Sequence, residues 1–488
     1  MSGTAPSTAG APTVLAPAAG RRGVPLGVAG RRRILVVGDL AVVFLLTGVA
    51  LRLGAYRSGW EWSADFTAQH AGWYALFATL WVGLAWANGL YDPRRAPEPW
   101  TAAVLSAKVS AQILLVWAVA YFVPPPWTLV RHVVVFFTLG AAVAMPVWRQ
   151  LYAAVFSRSA FRRRILIVGA GWSGETLLEA IRSAAPHEFE VAGFADDDPR
   201  RRGEPVGPEP GVRVVADRTD LVAVARQLGV GELVLAVTHD VHGDLFRALM
   251  EASEQGLAIT PMPVMYEAIT GRVPVEHIGD HWAVALPLEP HEAHGLYPLV
   301  RRAFDLAFAA VGLVLLALLL PIAGLLIRLA GPGPIFYRQV RVGRGGRQFM
   351  LYKLRTMVED AEPEGPVWAA RHDPRVTPVG RWLRRTRLDE LPQVVNVLRG
   401  EMSVVGPRPE RPEFVAALAT RIPFYRARHA VRPGLTGWAT VQQGYASSAE
   451  DALMKLQYDL YYIKHRSLWL DAYILVRTVA AVLRLGGR

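Results

Sequence analysis

The chain has 488 residues, enough for about three domains, and 52% of them are hydrophobic, a balance that points to membrane segments. The formal charge of +12 rests almost wholly on arginine, with Lys108, Lys353, Lys455 and Lys464 as the lysines, and it suits anionic lipid, nucleic acid or phosphorylated substrates. There is no cysteine, which excludes disulfides, thiolate catalysis and cysteine-ligated zinc or iron–sulfur sites.

Residues 1–30 are rich in Ala, Gly, Pro, Ser and Thr and read as a disordered tail. A cleaved signal peptide is not expected, because the apolar run begins only after Arg31, Arg32 and Arg33 and is too long. Residues 31–160 read as a bundle of four transmembrane helices, with apolar runs at 34–51, 71–90, 104–123 and 133–147. The second run carries no charge; the others contain or abut Asp39, Lys108, Arg131 and Arg149. Basic clusters at 31–33, at Arg94 and Arg95, and at Arg158 and 162–164 share one side of a four-span topology. The arginine bias therefore places both ends of the bundle in the cytoplasm.

Residues 161–265 read as a doubly wound, Rossmann-like α/β domain. A strand at 165–168 leads into GAGWSGETLLEAI, where Gly169, Gly171 and Gly174 form G-x-G-x-x-G, and Asp196 follows the next strand at 191–195. Strands are expected at 213–215, 233–237 and 258–261, with helices at 221–228 and 245–255. The glycines and Asp196 are candidate nucleotide-binding residues, yet the same glycines also serve simply to let strand and helix pack closely. No nearby Tyr-x-x-x-Lys pair offers short-chain-dehydrogenase chemistry. Residues 266–298 read as a connector, and its His277, His281, His291 and His294 fit no helical metal pair.

The apolar stretch at 301–330 is long enough to span, but arginines flank both of its ends. A helix broken near Pro321 that enters and leaves on the same face resolves that conflict. Arg302 and Asp305, three apart, are expected to pair near the membrane surface and help hold the bend. Beyond it, 335–340 and 348–354 read as strands around a Gly-rich turn, projecting Arg338, Arg341, Lys353 and Arg355. Nucleic acid is disfavoured as a partner, since no helix–turn–helix or aromatic-interleaved strand motif is evident.

In RRTRLDELPQVVNVLRGEMSVVGPRP (384–409), the adjacent acids Asp389 and Glu390 follow three arginines. Pro392 suits a first helical turn, which places the acids at a helix N-terminus where backbone N–H groups favour anions. Arg408 sits on a stiff Gly-Pro-Arg-Pro turn. An ion-paired surface helix is the competing account. At the C-terminus, Leu468, Trp469, Ala472, Leu475, Val476, Val479 and Leu483 form the apolar face of a basic amphipathic helix suited to the membrane interface, interrupted by Asp471, Arg477 and Arg484.

Residues from about 299 to 488 resemble the bacterial sugar transferase family, the monotopic polyprenyl-phosphate phosphoglycosyl transferases. The matching stretches are Arg-x-x-Asp at 302–305, Pro321, PIFYRQVRVGRGGRQFMLYKLRTM, LDELPQVVNVLRGEMSVVGPRP, RPGLTGWATVQQGY and YDLYYIKHRSLWLDAYIL. Four membrane helices and a Rossmann-like domain before this α+β module resemble the family's large form. Two departures are Leu320, where some members have Ser, and TVQQ at 440–443, where AQVN is usual. The resemblance implies transfer of a sugar 1-phosphate from a UDP-sugar to polyprenyl (undecaprenyl) phosphate, with UMP released, to initiate exopolysaccharide, capsule or O-antigen synthesis. It also implies Asp389 as nucleophile, Glu390 as its partner and Mg²⁺ at the dyad. Arg384 and Arg408 match substrate phosphate-binding positions, with Lys353, Arg355 and Arg338 extending the positive field. The expected module divides into a re-entrant helix (301–330), a catalytic core (331–445) and C-terminal interfacial helices (446–488).

Asp389 has two conceivable roles. A phosphate monoester with a second pKa of about 6 is already largely dianionic at neutral pH, so a general base has little to do. A nucleophile splits the transfer into two steps. For the first 300 residues, an NAD-dependent sugar-nucleotide oxidoreductase competes with a non-catalytic role in docking, regulation or homodimer formation. The second is favoured, since the C-terminal module holds all that the chemistry needs.

Overall fold

The apolar N-terminal runs pack side by side in the computed structural model, which describes residues 28–91, 99–120, 131–156, 162–207, 211–237, 243–277, 296–359, 361, 373–443 and 449–483. Most of the N-terminal tail, Arg94, Arg95, Arg158, His281, His291, His294 and Arg484 lie outside the described residues. Helices α1 (Val28–Arg57), α4 (Pro99–Ala120) and α5 (Arg131–Phe156) are long and apolar enough to cross a bilayer. Between α1 and α4 lie a short α2 (Ala64–Gln69), capped by Ser63, and α3 (Ala71–Ala87). Against the expected 20-residue run, α3 is shorter, at 17 residues, roughly 26 Å of helix and at the lower end of the length for a crossing. It stops because Asn88 turns its side chain back onto Leu84 O and Gly89 adopts a φ of +74°, a helix-ending conformation.

The charge in α1 does not loosen the bundle. Asp39 is fully buried, 2.6 Å from Arg149 of α5, and also accepts from Trp81, Tyr91 and Trp148. Elsewhere in the bundle Phe77 of α3 and Phe137 of α5 stack at 4.0 Å.

The α/β unit comprises β1 (Arg163–Val168), α6 (Trp172–Ala184), β2 (Phe189–Ala195), β3 (Pro205–Val206), β4 (Val212–Ala216), α7 (Leu221–Gln227), β5 (Glu232–Leu235), α8 (Gly243–Glu254), β6 (Ala258–Pro261) and α9 (Met262–Thr270). The strand order is β3-β4-β2-β1-β5-β6, parallel except for the edge pair β3–β4. Alternate residues of β1 serve opposite faces, as the two-residue period of a strand dictates. Ile165 and Ile167 pack with α6 and α9, whereas Leu166 and Val168 pack with α7 and α8. The expected connector therefore begins inside a helix. After Gly271, Val273 and Val275 join the core of the C-terminal module.

That module starts with α10 (Tyr297–Leu329), a fourth helix of spanning length. Next come the hairpin β7 (Phe336–Val342) and β8 (Gln348–Leu354), then α11 (Pro378–Thr386), a 3₁₀ turn at Leu388–Gln393, α12 (Val394–Arg399) and β9 (Ser403–Val405). The remainder is α13 (Pro412–Ala419), β10 (Gly434–Thr436), α14 (Trp438–Gln442), α15 (Ala449–Lys464) and α16 (Leu468–Leu483). The helix α10 runs through Pro321 without interruption, in contrast to the expected break; the proline removes only the bond to Ala317 O.

The expected Arg302–Asp305 pair does not form. Arg302 caps the end of α12 through Val397 O and Leu398 O, while Asp305 accepts from Ser403 Oγ and Val404 N–H of β9. Both side chains find tertiary partners with unmet hydrogen bonds, which outcompete a local i,i+3 contact. Asp471 of α16 is likewise buried, accepting from Tyr297 and Tyr462 hydroxyls, rather than breaking an outer face. Trp469, Val476 and Val479 remain outward, with the Trp469 ring 4.4 Å from Trp86 of α3.

Candidate active site

The acid pair is placed by a backbone turn that few residues adopt. Arg387 has a φ of +60°, ending α11 and starting the Leu388–Gln393 turn. At the other end of α11, Thr377 Oγ accepts from Gly380 N–H, and a Cβ at Gly380 would lie 2.0 Å from Thr356 O. That close approach brings Arg384 Nε within 3.0 Å of Thr356 Oγ, just past β8.

The two acids are satisfied very differently. Glu390 Oε1 lies 2.6 Å from Arg408 Nη2 and 3.3 Å from Lys353 Nζ, and Oε2 lies 4.0 Å from Arg387. Burial opposes ionisation of Glu390, but Arg408, Lys353 and Arg387 outweigh it and hold its carboxyl well below the usual range. Asp389 is also buried, yet its Oδ1 has no hydrogen-bond partner among the described residues. Burial first, then the Glu390 charge, push its pKa up to about 6, against the pull of Lys353, Arg384 and Arg408. Lys353 is lowered by burial, with Glu390 supporting its charge. The result is one neutralised carboxylate beside one unpartnered carboxyl, walled by cations: a site suited to a reacting phosphoryl group.

Five of the anticipated residues thus converge: Asp389, Glu390, Lys353, Arg384 and Arg408. Two do not. Arg338 pairs across the hairpin with Tyr352, the residue before Lys353, so it lies on the opposite face. There it sits over the Tyr352 ring at 6.0 Å. Arg355 donates to Ile327 O, Gly331 O and Pro332 O, capping the end of α10. Arg341, by contrast, shares the Lys353 face and donates to Pro409 O at 3.0 Å; strand alternation could have picked it out. Arg428, which donates to Arg408 O, carried no sequence signal.

No cluster of three or more His, Cys, Asp or Glu side chains among the described residues could hold a metal ion. Mg²⁺ does not need one, since it is commonly held by one or two carboxylates together with substrate phosphates and water. The unpartnered Asp389 Oδ1 beside Glu390 fits that mode.

In the α/β unit, Gly169 has a φ of +109°, and a Cβ at Gly174 would lie 2.1 Å from Gly169 O, so both glycines have packing reasons. Gly171 faces open space. Asp196 accepts from Ala170 N–H at 2.8 Å, and Arg201 donates to Ala170 O at 2.7 Å. An acid from the end of β2 thus occupies an amide of the glycine loop that a nucleotide phosphate would use.

Apolar helices joined to an acid pair set among arginine and lysine side chains define a membrane-associated class. Residues 296–485 match the bacterial sugar transferase family, and residues 87–263 match a CoA-binding domain. The chain is 39% identical to a UDP-N-acetylgalactosamine-undecaprenyl-phosphate N-acetylgalactosaminephosphotransferase of Aeromonas hydrophila, covering 55% of this chain and 61% of that protein. It is 34% identical to an undecaprenyl-phosphate glucose phosphotransferase of Komagataeibacter xylinus, over 65% of this chain and 58% of the relative. A UDP-glucose:undecaprenyl-phosphate glucose-1-phosphate transferase of Escherichia coli (strain K12) is 30% identical, over 69% and 75% respectively. The chain belongs to the bacterial sugar transferase family.

Proposed function

We propose that the protein transfers a sugar 1-phosphate from a UDP-sugar to undecaprenyl phosphate, releasing UMP and starting a surface polysaccharide. The observation that carries this reading is the unpartnered Asp389 Oδ1 in a buried, cation-lined site. Asp389 attacks the sugar-bearing phosphorus, the bridging P–O bond breaks, and UMP leaves with the bonding electrons. An oxygen of the lipid phosphate then attacks the same phosphorus, the acyl–phosphate bond breaks, and the carboxylate is restored. Arg384, Arg408 and Lys353 hold the phosphates, because attack of one anion on another requires preorganised positive charge. Asp389 and Glu390 would hold Mg²⁺ together with substrate phosphate oxygens, and the ion would supply further charge neutralisation.

The membrane arrangement follows from α10. Asp305, Ala309, Gly312, Leu316, Ala323 and Ile327 form one buried stripe, while Val311, Val314, Leu318, Ile322 and Leu325 are exposed. The start of the helix is fastened to β9, and its end is fastened by Arg355. Two ends tied to one module, with the helix continuous through Pro321, favour a path on one face of the bilayer over a full crossing. With α1, α3, α4 and α5 as four crossings, α3 at 17 residues being the shortest, and the arginine bias inward, the α/β unit and the dyad face the cytoplasm. Asp196, closed onto the glycine loop, supports a docking or regulatory role for the α/β unit rather than NAD chemistry; a homodimer is the expected assembly.

Purified protein in lipid nanodiscs, given a panel of UDP-sugars with and without undecaprenyl phosphate, tests this. One sugar nucleotide should release UMP, and lipid-linked product should form only when lipid is present. Absence of UMP release across the panel would reject the reading.

A further inference from the structure

Three successive carbonyls of the turn that carries Arg408 are held by three different parts of the chain. Pro407 O accepts from Gly434 N–H at 2.9 Å, Arg408 O from Arg428 Nη2 at 3.1 Å, and Pro409 O from Arg341 Nη1 at 3.0 Å. The two prolines have fixed φ and no N–H, so the carbonyl bonds supply most of the restraint available to this turn. Of the three, the middle one has the most elaborate support. The Arg428 and Asp459 side chains are 4% and 2% exposed and lie 2.7 Å apart. Arg428 Nη1 also donates to the Tyr425 hydroxyl at 2.7 Å, beneath which the guanidinium stacks at 5.2 Å from the ring.

A buried ion pair of this kind is weak evidence for stability, since apolar residues of similar volume often do as well. What an apolar pair could not do is donate to Arg408 O. We infer that Arg428, oriented by Asp459, is a positioning residue: it fixes the main chain at residue 408 so that the Arg408 guanidinium meets Glu390 at 2.6 Å. This rests on the dyad reading above. Arg428 touches no reacting atom and acts only through Arg408.

The electrostatics give the inference a readout beyond rate. Arg408 is among the charges that lower the pKa of both Glu390 and Asp389, alongside Lys353 for both, Arg384 for Asp389 and Arg387 for Glu390. Around Arg428 itself stand Asp459, Tyr425 and Glu410. If the turn loosens and the Arg408 charge withdraws, Asp389 becomes harder to ionise, and the acid limb of UMP release moves to higher pH.

The test compares full-length wild type with Arg428→Met/Asp459→Leu, which removes both buried charges together, and with Arg428→Lys, which keeps the charge but loses the fork. Lipid-independent UMP release is followed from below to above about pH 6, with thermal midpoints recorded for each variant. The double variant should keep a near-native midpoint, lose about tenfold or more in rate and shift its acid limb upward. Arg408→Ala should then cost much less in that background than in wild type, the signature of two residues acting as one unit. Arg428→Lys should shift the limb in the same direction by a smaller amount. A folded double variant with a wild-type rate and limb, or an equal Arg408→Ala cost in both backgrounds, overturns the inference. Wild type without UMP release would instead refute the function reading. Cryo-EM of the double variant then decides the positioning role, which is contradicted if Arg408 still meets Glu390.

Discussion

Asp39 and Asp389 are both buried near arginine, and their surroundings are opposites. Asp39, between α1 and α5, receives Arg149, Tyr91, Trp81 and Trp148, with donors on both oxygens. Asp389 has cations near it but leaves Oδ1 without a partner. A buried acid with donors on both oxygens, as Asp39 has, is a fastening, and displacing its partners costs the full desolvation of each group. A buried acid with a vacant oxygen is costly to the fold and available to a reactant. On the proposed function, that unpartnered oxygen together with the surrounding cations separates chemistry at Asp389 from structure at Asp39.

Substitutions should break the comparison along that line. The largest effect is expected from Asp389→Asn, which should reduce transfer to background while leaving the protein folded. It should also be stabilising at neutral pH. With a folded pKa of about 6 against an ordinary carboxyl value of 3.8, ionising Asp389 costs the native state stability as pH rises through that window. The thermal midpoint of Asp389→Asn should therefore exceed that of wild type above about pH 6 and converge with it below the ordinary carboxyl range. The rate of the first half-reaction in wild type should fall on acidification with a midpoint near about 6, since the carboxylate is the attacking form.

Arg408→Ala comes next, at a loss on the order of 10²–10³ in rate, typical of one preorganised donor. Asp39→Asn reverses the pattern. Leaving Arg149 buried without its counter-charge should destabilise the bundle by roughly 3–5 kcal/mol, read as a lower thermal midpoint in nanodiscs. The folded fraction should retain its activity per molecule. Arg338→Ala is the smallest, within about 0.5 kcal/mol in either stability or activation free energy, because it lies on the far face of the hairpin. A large loss there would mean that the two faces of the hairpin had been misassigned.

The same contrast explains what could be read before the structure. The dyad was legible because two adjacent acids among arginines have few structural uses, and the α/β strands were legible because short apolar runs alternate with turn residues. Arg355 and Arg338 were less so: an arginine in a strand shows its face by alternation, but not whether a helix end needs its donors. The Arg302–Asp305 spacing predicted a local pair, while the actual partners, α12 and β9, are about a hundred residues away. Asn88-Gly89 inside the second apolar run was a turn signal that already marked the end of α3. The Arg428–Asp459 pair had no local signature at all, since it joins residues separated by 31 positions.

The central claim is that Asp389 becomes covalently phosphorylated. Wild-type protein mixed with the accepted UDP-sugar, without lipid, should release UMP in proportion to enzyme. Peptide mass spectrometry should place the sugar phosphate on Asp389, and addition of undecaprenyl phosphate should discharge it. UMP release that begins only when lipid is added, or an adduct on any other residue, would contradict the account.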